Sequence, residues 1–466
     1  MDGTKSSTKL TLREHLGYGI ASLADSIGYV FIGSFLLVFL TTVAGLAPAT
    51  AGAIAAVGSV SSALFNPIIG FFSDRIATPL GRRRPLLLVF ALPLAIVITL
   101  LFTAVPLNGT AKTIYYGGML LLFWFIYLSS FIPYYALGVD YTSDYDDRTK
   151  LRLFAALFNG LGNMVCLFIP TAFTAAMIAR GFSQAFAWTI VSALLGIASA
   201  VSLLITFTAS KEKDPPCRVD RNAAKEPLRI RKLFSEYVEI VNLPPAKWLI
   251  LASVTSLIAY TLITADVVYY LTYRLLLPPV AISFYLVLQT VFRTLLLYPQ
   301  GKIASRFDKQ RTIILFYLFA VAGFIVVRFI DPTSVPAIVF FEFLVGVTTG
   351  TYWAIIPSIY YDVCDYDQLH NGRQRQGTII SFQGVIEGIS SGAGSLLLGC
   401  ILQLAGFDGS AAVQSELAVS WIHNCATIVP AVFMVLSCLA LWKYPITREV
   451  YARIQEELIQ RQSSGQ

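Results

Sequence analysis

Residues 70–75 read Gly-Phe-Phe-Ser-Asp-Arg and residues 301–306 read Gly-Lys-Ile-Ala-Ser-Arg, and each stretch lies between two apolar runs. A second pair of similar stretches follows. Ser-Asp-Tyr-Asp at 143–146 and Cys-Asp-Tyr-Asp at 364–367 each come after an apolar run that contains Ile-Pro. The two pairs are 231 and 221 residues apart in a chain of 466 residues, which predicts an internal duplication with its boundary near the middle.

Composition indicates that most of the chain faces lipid. Hydrophobic residues make up 56% of the chain, charged residues make up 13%, and the mean hydropathy is +0.69, which leaves too little polar surface for a water-soluble globule. We therefore predict an all-α integral membrane protein with twelve transmembrane helices in two pseudo-symmetric six-helix halves, a design common among secondary transporters. A helix crosses a bilayer with about 20 apolar residues, and the predicted spans are 15–43, 47–73, 85–105, 113–139, 151–179, 183–208, 248–273, 276–300, 312–330, 334–361, 376–405 and 415–443.

The polar segments divide the chain into three parts. Residues 1–208 are predicted to form the first six-helix half, and residues 248–466 are predicted to form the second half with a short cytoplasmic tail. Residues 209–247 contain nine basic and six acidic residues, so they are predicted to be the cytoplasmic linker. Within this linker, Leu233 to Val241 are predicted to form a short surface helix.

The placement of lysine and arginine predicts the orientation in the membrane. Alternate loops on one side hold 22 of the 34 lysine and arginine residues, whereas the loops on the other side hold only Lys112, Arg180, Arg274 and Arg328. Under the positive-inside rule this asymmetry places both termini in the cytoplasm of a multi-pass protein of a plasma or bacterial inner membrane.

Several classes of function are disfavoured by the same patterns. The net charge of +7 arises from loop placement, so it does not indicate nucleic-acid binding. The three histidines and six cysteines lack metal-ligand spacing, and we expect no metal and no cofactor. Gly388 to Gly392 formally match the nucleophile motif of serine hydrolases, but they lie in an apolar stretch where small residues favour close helix packing. We expect no enzyme activity.

The loop after the second apolar stretch predicts a conformational latch. Gly70 and Gly81 permit close packing and a tight turn, and Asp74 can pair with a basic residue or accept backbone N–H groups at a helix start. A solvated basic loop is the alternative, but the related stretch at 301–306 favours contacts that hold neighbouring helices in one access state. The predicted latch residues of this loop are Gly70, Asp74, Arg75, Gly81, Arg82 and Arg83.

Charged residues inside apolar stretches are candidates for the working site. Such a group costs about 2.5–3.5 kcal/mol or more unless it faces a cavity or a partner. For each of them a structural ion pair competes with a substrate or proton role, and the structural interpretation is favoured for Asp266 and Glu342. The candidates are Asp25, Arg152, Asp266, Arg293, Glu342 and Glu387.

The two loop motifs resemble those of a known group of transporters. Gly70-x-x-Ser73-Asp74-Arg75 followed by Gly81-Arg-Arg-Arg-Pro85 resembles the signature loop of the major facilitator superfamily. Asp362-Val-Cys-Asp365-Tyr-Asp followed by Asn371-Gly-Arg373 resembles the motif after the tenth helix in its glycoside-pentoside-hexuronide cation symporters, the melibiose-carrier group. The resemblance extends over nearly the whole chain and implies the major facilitator fold. It also implies that Asp362, Asp365 and Arg373 belong to the latch.

The same resemblance implies a set of solute-binding residues. Asp25 matches the first-helix aspartate that holds the sugar in melibiose-type carriers, and Trp353 matches a cavity tryptophan. Arg152 lies one turn before the position of a sugar-binding arginine, which is Ala156 here. Phe131 replaces a fourth-helix aspartate, and Glu387 replaces an eleventh-helix lysine. The predicted solute-binding residues are Asp25, Phe131, Tyr135, Arg152, Trp353 and Glu387.

The cation site departs from the pattern of the group. Two second-helix aspartates are replaced by Ser62 and Asn66, which offer neutral oxygens but cannot exchange a proton. Asp25 and Glu387 can exchange a proton, so we predict that the coupling cation is a proton rather than sodium. The predicted coupling residues are Asp25, Glu387, Ser62 and Asn66.

These inferences predict a secondary transporter. The leading prediction is proton-coupled uptake of a glycoside or a related small organic solute, with a partly apolar substrate favoured by Phe131. A carrier of the same fold that moves a non-sugar amphiphile, such as a lysolipid or organic conjugate, without cation coupling remains open. A membrane sensor that binds a solute without moving it also remains open.

Overall fold

The computed structural model describes residues 10–73, 78–81, 83–140, 145–210, 230–330, 333–372, 376–411 and 413–464. Within these ranges the regular elements are helices, and the one isolated β-bridge joins Thr78 to Gly81. The helices are α1 (Leu12–Gly19), α2 (Ala21–Thr42), α3 (Pro48–Ser73), α4 (Arg84–Leu101), α5 (Gly109–Asp140), α6 (Tyr145–Ala179), α7 (Gln184–Ala209), α8 (Ile230–Asn242), α9 (Pro244–Tyr269), α10 (Pro279–Arg306), α11 (Lys309–Phe329), α12 (Val335–Asn371), α13 (Gln376–Leu404), α14 (Glu416–Ala426), α15 (Ile428–Trp442) and α16 (Arg448–Ser464).

Twelve spans in the described residues are long and apolar enough to cross a membrane. The first span combines α1 and α2, and the last combines α14 and α15, which are separated at Thr427. The prediction of an all-α protein with twelve transmembrane helices is confirmed. The predicted helix at 233–241 is also present as α8, whereas α16 lies in the segment that was predicted only as a tail.

Proline and glycine mark the helix ends as their backbone geometry requires. Proline stands in the first turn of α4, α9, α10 and α12, where its missing N–H costs no hydrogen bond. Gly372 ends α12 with φ of 63°, a left-handed conformation that glycine adopts without strain. Pro133 and Pro357, from the two repeated Ile-Pro pairs, both lie inside long helices, α5 and α12.

The helices form two compact units. The first contains Met1–Leu46 and Leu64–Leu228, and the second contains Ala47–Ala63 and Arg229–Gln466. In the first unit, α2 packs on α6 and α7, and α4 packs on α5 and α7. Its core holds stacked aromatic rings, with the Phe31 and Phe102 centroids 4.1 Å apart and Trp188 stacked on Phe102 at 5.9 Å.

In the second unit, α9 packs against α12, α13 and α15, and α10 and α11 pack on α12. The first part of α3 joins this unit and lies close to α13. A Cβ atom at Gly388 would lie 2.6 Å from the carbonyl oxygen of Ser59, and one at Gly392 would lie 2.9 Å from that of Ala56. The packing role predicted for these two glycines is confirmed, because a larger residue would push the helices apart.

Candidate functional site

Asp25 is the centre of a buried polar cluster in the first unit. Its side chain on α2 is 9% exposed. The hydroxyl of Tyr127 on α5 donates a hydrogen bond to Oδ1 at 2.5 Å, and Nδ2 of Asn159 on α6 donates to Oδ2 at 3.5 Å. Tyr135, one of the predicted solute residues, also faces Asp25 while its side chain stays 44% exposed. The carboxylate therefore lies among three donors from two other helices.

A second layer of side chains supports this cluster. Tyr134 and Ser22 share a hydrogen bond of 2.7 Å, and the Tyr134 ring stacks on Tyr18 at 4.7 Å. Phe131 is 1% exposed, and its ring centroid lies 4.6 Å from that of Tyr127. The ring of Phe131 thus packs against the ring of Tyr127. Arg152 has an exposed side chain and lies within electrostatic range of Tyr18.

Glu387 is the corresponding carboxylate of the second unit. Its Oε1 atom accepts a hydrogen bond of 2.8 Å from Nε2 of Gln383, one turn earlier on α13. The hydroxyl of Tyr352 on α12 also faces this carboxylate. The neighbouring Trp353 is half-buried, with its ring 5.2 Å from that of Tyr352 and 6.2 Å from that of Tyr260 on α9. Glu387 and Trp353 therefore both lie beside Tyr352.

The two neutral residues predicted for the cation lie one turn apart on α3. The hydroxyl of Ser62 donates a 2.7 Å hydrogen bond to the carbonyl oxygen of Ser59, and the side chain of Asn66 is exposed. Among the residues that the structure describes, no group of three His, Cys, Asp or Glu side chains is placed to hold a metal ion.

The first predicted latch is described in part. Gly81 has φ of 108° and closes a turn with Thr78 through backbone hydrogen bonds of 3.1 and 3.2 Å, so the tight turn is present. At Gly70 a Cβ atom would meet no described atom within 4 Å. Arg83 precedes α4 and is half-buried. Asp74, Arg75, Arg82 and Arg373 lie outside the described residues.

The second predicted latch holds two well-defined carboxylates. Asp362 receives the ammonium group of Lys309 at 2.7 and 2.8 Å. Oδ2 of Asp365 accepts hydrogen bonds from the Tyr451 hydroxyl at 2.8 Å and from Nε2 of Gln455 at 2.7 Å, both on α16. Burial, and then the hydrogen bond to Asp365, raise the pKa of Tyr451.

Sequence reasoning missed several partners of these carboxylates, namely Tyr127, Asn159, Lys309, Tyr451 and Gln455. Lys309 had one available signal, because it follows the repeated stretch at 301–306 within a few residues. The other four carry no local motif. Their contacts with the carboxylates can be identified only from the packing of the helices.

Comparisons with known proteins agree with this architecture. The family model described as MFS/sugar transport protein matches residues 17–448. The isoprimeverose transporter of Lactiplantibacillus pentosus is 25% identical, over 93% of this chain and 89% of its own length. A putative glycoside/cation symporter of Escherichia coli, YagG, is 24% identical over 98% of this chain and 97% of its own length.

Solved structures show the same fold. A bacterial homologue of the human lysosomal transporter Spinster has a TM-score of 0.67 at 13% identity, covering 98% of this chain and 99% of its own. A crystal structure of the nucleoside transporter NupG has a TM-score of 0.63 at 14% identity, covering 92% of this chain and 100% of its own. At these identities the likeness concerns the fold alone.

Proposed function

The chain belongs to the MFS/sugar transport protein family of the major facilitator superfamily, and from this premise we propose that it is a proton-coupled symporter of a glycoside. Its symporter relatives indicate secondary transport of a sugar-like small solute with a coupling cation across a membrane. The internal repeat supports alternating access by two pseudo-symmetric halves. Loop charge supports an orientation with both termini in the cytoplasm.

The polar cluster around Asp25 is the observation that carries the proposal. A carboxylate fixed by Tyr127 and Asn159 can accept hydrogen bonds from the hydroxyl groups of a solute. The exposed part of Tyr135 offers an aromatic surface beside the carboxylate for a sugar ring. A site that pairs its polar groups with substrate hydroxyls rejects analogues without them, because those groups would then stay unpaired.

The neighbouring aromatic side chains favour an apolar group on the sugar. Phe131 packs against Tyr127, at a position where the resemblance to melibiose-type carriers implies an aspartate that contacts a sugar hydroxyl. Tyr29 is 39% exposed, and its ring lies 6.3 Å from that of Trp124, edge to face. Apolar and aromatic walls with a few placed polar groups suit a mixed ligand. We therefore propose a glycoside with an apolar aglycone rather than a free sugar.

The proton is the proposed coupling cation because, among the four residues predicted for coupling, Asp25 and Glu387 are the ones that can exchange a proton. Each has one or more hydrogen-bond donors beside it in a membrane-spanning segment. Ser62 and Asn66 offer neutral oxygens only, and the Ser62 hydroxyl already donates to Ser59. A sodium ion needs several oxygen ligands, preferably charged, so this part of α3 is a poor place for it.

Uptake by the purified protein in liposomes tests the proposal. We expect an inward proton gradient to drive accumulation of a labelled aryl glycoside, and the matching free sugar and a labelled lysolipid to accumulate far less. A sodium gradient without a proton gradient should give no accumulation. Preferential movement of the lysolipid, independent of both gradients, would instead support the amphiphile carrier. Binding of the glycoside without any movement would support a sensor.

A further inference from the structure

Asp266 on α9 and Glu342 on α12 are two carboxyl groups that the solute site does not use. Both side chains are 0% exposed. None of their four carboxyl oxygens has a hydrogen-bond partner among the described residues. Asp25, Asp362 and Glu387, by contrast, each accept at least one hydrogen bond. The expectation of structural ion pairs at Asp266 and Glu342 therefore finds no support in the described conformation.

An ionised carboxylate without a partner is strongly disfavoured in such a place. Water is excluded, and no donor or cation among the described residues contacts the oxygens to replace it. A neutral carboxylic acid loses much less on burial, because it carries no net charge. Their burial without partners therefore favours the protonated form of both groups.

The surroundings of the two carboxyl groups are polar but unpaired. Tyr270 lies within electrostatic range of both Asp266 and Glu342, and its hydroxyl has no hydrogen-bond partner among the described residues. Its ring centroid is 5.3 Å from that of His423 on α14, whose Nε2 atom also lacks a described partner. The other titratable or charged groups on this side are Arg274 on the turn after α9, Arg328 on α11, and Glu416 and Cys425 on α14.

A cavity in the second unit adjoins this region at His423. Its volume is about 280 Å³, which is large enough for several water molecules. It is lined by Arg274, Arg328, Gln414, Glu416, Val419, Ser420 and His423. His423 therefore lies between the cavity and the Tyr270 ring. Tyr270 and Arg274 also bound a π-helical turn, a feature that is frequent at functional sites.

We propose that Asp266 and Glu342 form a proton-binding site within the second unit, loaded from this cavity past His423 and Tyr270. In the loading step a hydronium ion in the cavity loses one proton and becomes water, and a carboxylate oxygen gains one proton and becomes neutral; His423, as a relay, takes up one proton and releases one, so it ends unchanged. Arg274 and Arg328 lie within electrostatic range of Tyr270 and so supply positive charge on this side of the site when a carboxyl group has released its proton. A use of this site in coupling rests on the proposed proton symport, but the protonation itself does not.

Infrared difference spectroscopy of the purified protein in lipid discs, without solute or gradient, tests the site directly. We expect the C=O stretch of buried, protonated carboxylic acids at neutral pH in the wild type. Asp266→Asn and Glu342→Gln should each remove one part of this signal. Glu449→Gln, at an exposed position of α16, should leave it unchanged. A wild-type protein without the signal, or variants that both keep it in full, would overturn the proposal.

The loading route has its own readout. After a pH jump, the carboxyl signal should change several-fold more slowly in His423→Gln than in the wild type, because the imidazole between the cavity and Tyr270 is lost. An unchanged rate would exclude the route through His423. Since neither measurement needs transport, a failure of proton-driven glycoside uptake would leave them interpretable and would count against the proposed function alone.

Discussion

The ammonium group of Lys309 lies 2.7 Å from Oδ1 and 2.8 Å from Oδ2 of Asp362, and so joins the start of α11 to the end of α12 that carries the second latch motif. Asp362 is buried, whereas the Lys309 side chain is 34% exposed. Lys309 also donates to the carbonyl oxygen of Ser358 at 3.2 Å. The pair therefore fixes the spacing of these two helices beside the motif.

Replacing Lys309 by glutamine should lower the free energy of unfolding and slow turnover. Loss of hydrogen bonds to a charged group lowers the free energy of unfolding by about 1.5–3 kcal/mol, and we expect the lower end of this range because Lys309 is partly solvated. Arg311→Gln is the matched control, since its side chain is 75% exposed and pairs with nearby Asp308 on the same helix start, so the change in stability should be about 0.5 kcal/mol or less. Thermal unfolding in detergent gives both values.

The same variant separates a latch from a solute contact. Lys309→Gln should leave equilibrium binding of the solute nearly unchanged while transport slows, because the pair would bias conformational states without touching solute. Binding is measured by calorimetry and turnover by uptake in liposomes. A collapse of binding with normal residual turnover would show that this pair is not a latch.

The attachment of α16 should weaken in alkali. The raised pKa of Tyr451 means that folding favours its neutral form, which donates to Asp365. This contribution is fully present below the unfolded pKa of about 10 and is lost as pH rises through the higher folded value. A spin label at Glu457 should therefore gain mobility above that range. In Tyr451→Phe the label should be more mobile already at neutral pH, and an alkaline transition equal to that of the wild type would contradict this account.

Removing the Tyr127 hydroxyl should weaken solute binding. Tyr127→Phe leaves one oxygen of Asp25 without its 2.5 Å donor, at a cost of about 1.5–3 kcal/mol, which corresponds to roughly ten- to hundredfold in Kd. Tyr115→Phe on the same helix is the control, because its hydroxyl donates to the carbonyl oxygen of Leu100 instead. Equal Kd values for the two variants would remove Asp25 from the proposed solute site.

Replacing Glu387 by glutamine tests the coupling proposal. The amide keeps the size of the side chain but cannot exchange a proton, so gradient-driven accumulation should be abolished while exchange of solute across the membrane stays measurable. Glu449→Gln, at an exposed position of α16, is the comparison variant for loss of one carboxylate. Strict sodium dependence of the wild type, or full accumulation by Glu387→Gln, would exclude the mechanism.

Orientation can be tested by cysteine labelling. From the loop charges, cysteines introduced at Gly109 and Gly409 should react with an impermeant reagent in intact cells, and one at Asn222 should react only after the membrane is opened. The native cysteines are first replaced by serine or alanine. Labelling of the 222 position in sealed cells would reverse the orientation.

The membrane spans were predictable because lipid requires long, continuous apolar helices, and the hydropathy of a run can be read from the sequence without knowing the tertiary contacts. Gly388 and Gly392 were predictable as packing residues because small residues in an apolar stretch favour close helix contact. Two helices extend beyond their predicted spans into polar sequence, where hydropathy gives no signal. α5 (Gly109–Asp140) begins before the predicted start at 113, and α12 (Val335–Asn371) continues past the predicted end at 361.

The partners of buried groups were not predictable in the same way. Tyr127 meets Asp25 from 102 positions away, and Tyr451 meets Asp365 from 86 positions away. Which helix faces touch depends on the rotation and tilt of each helix, and neither is encoded in a short motif. Asp266 and Glu342 show the reverse case: a buried charge in the sequence predicts a partner, yet the described conformation leaves both carboxyl groups without one.

The close approach of α3 and α13 has a mechanical consequence. Their contact at Gly388 and Gly392 joins backbone directly to backbone, and dispersion attraction loses about a quarter to a half of its depth when a gap of about 0.5–1 Å opens. Long side chains that would stretch to maintain contact are replaced by glycine and alanine. The contact between α3 and α13 should therefore hold only at close range, and a small separation should release much of it. Because it depends on shape and carries no charge, it should not respond to ionic strength.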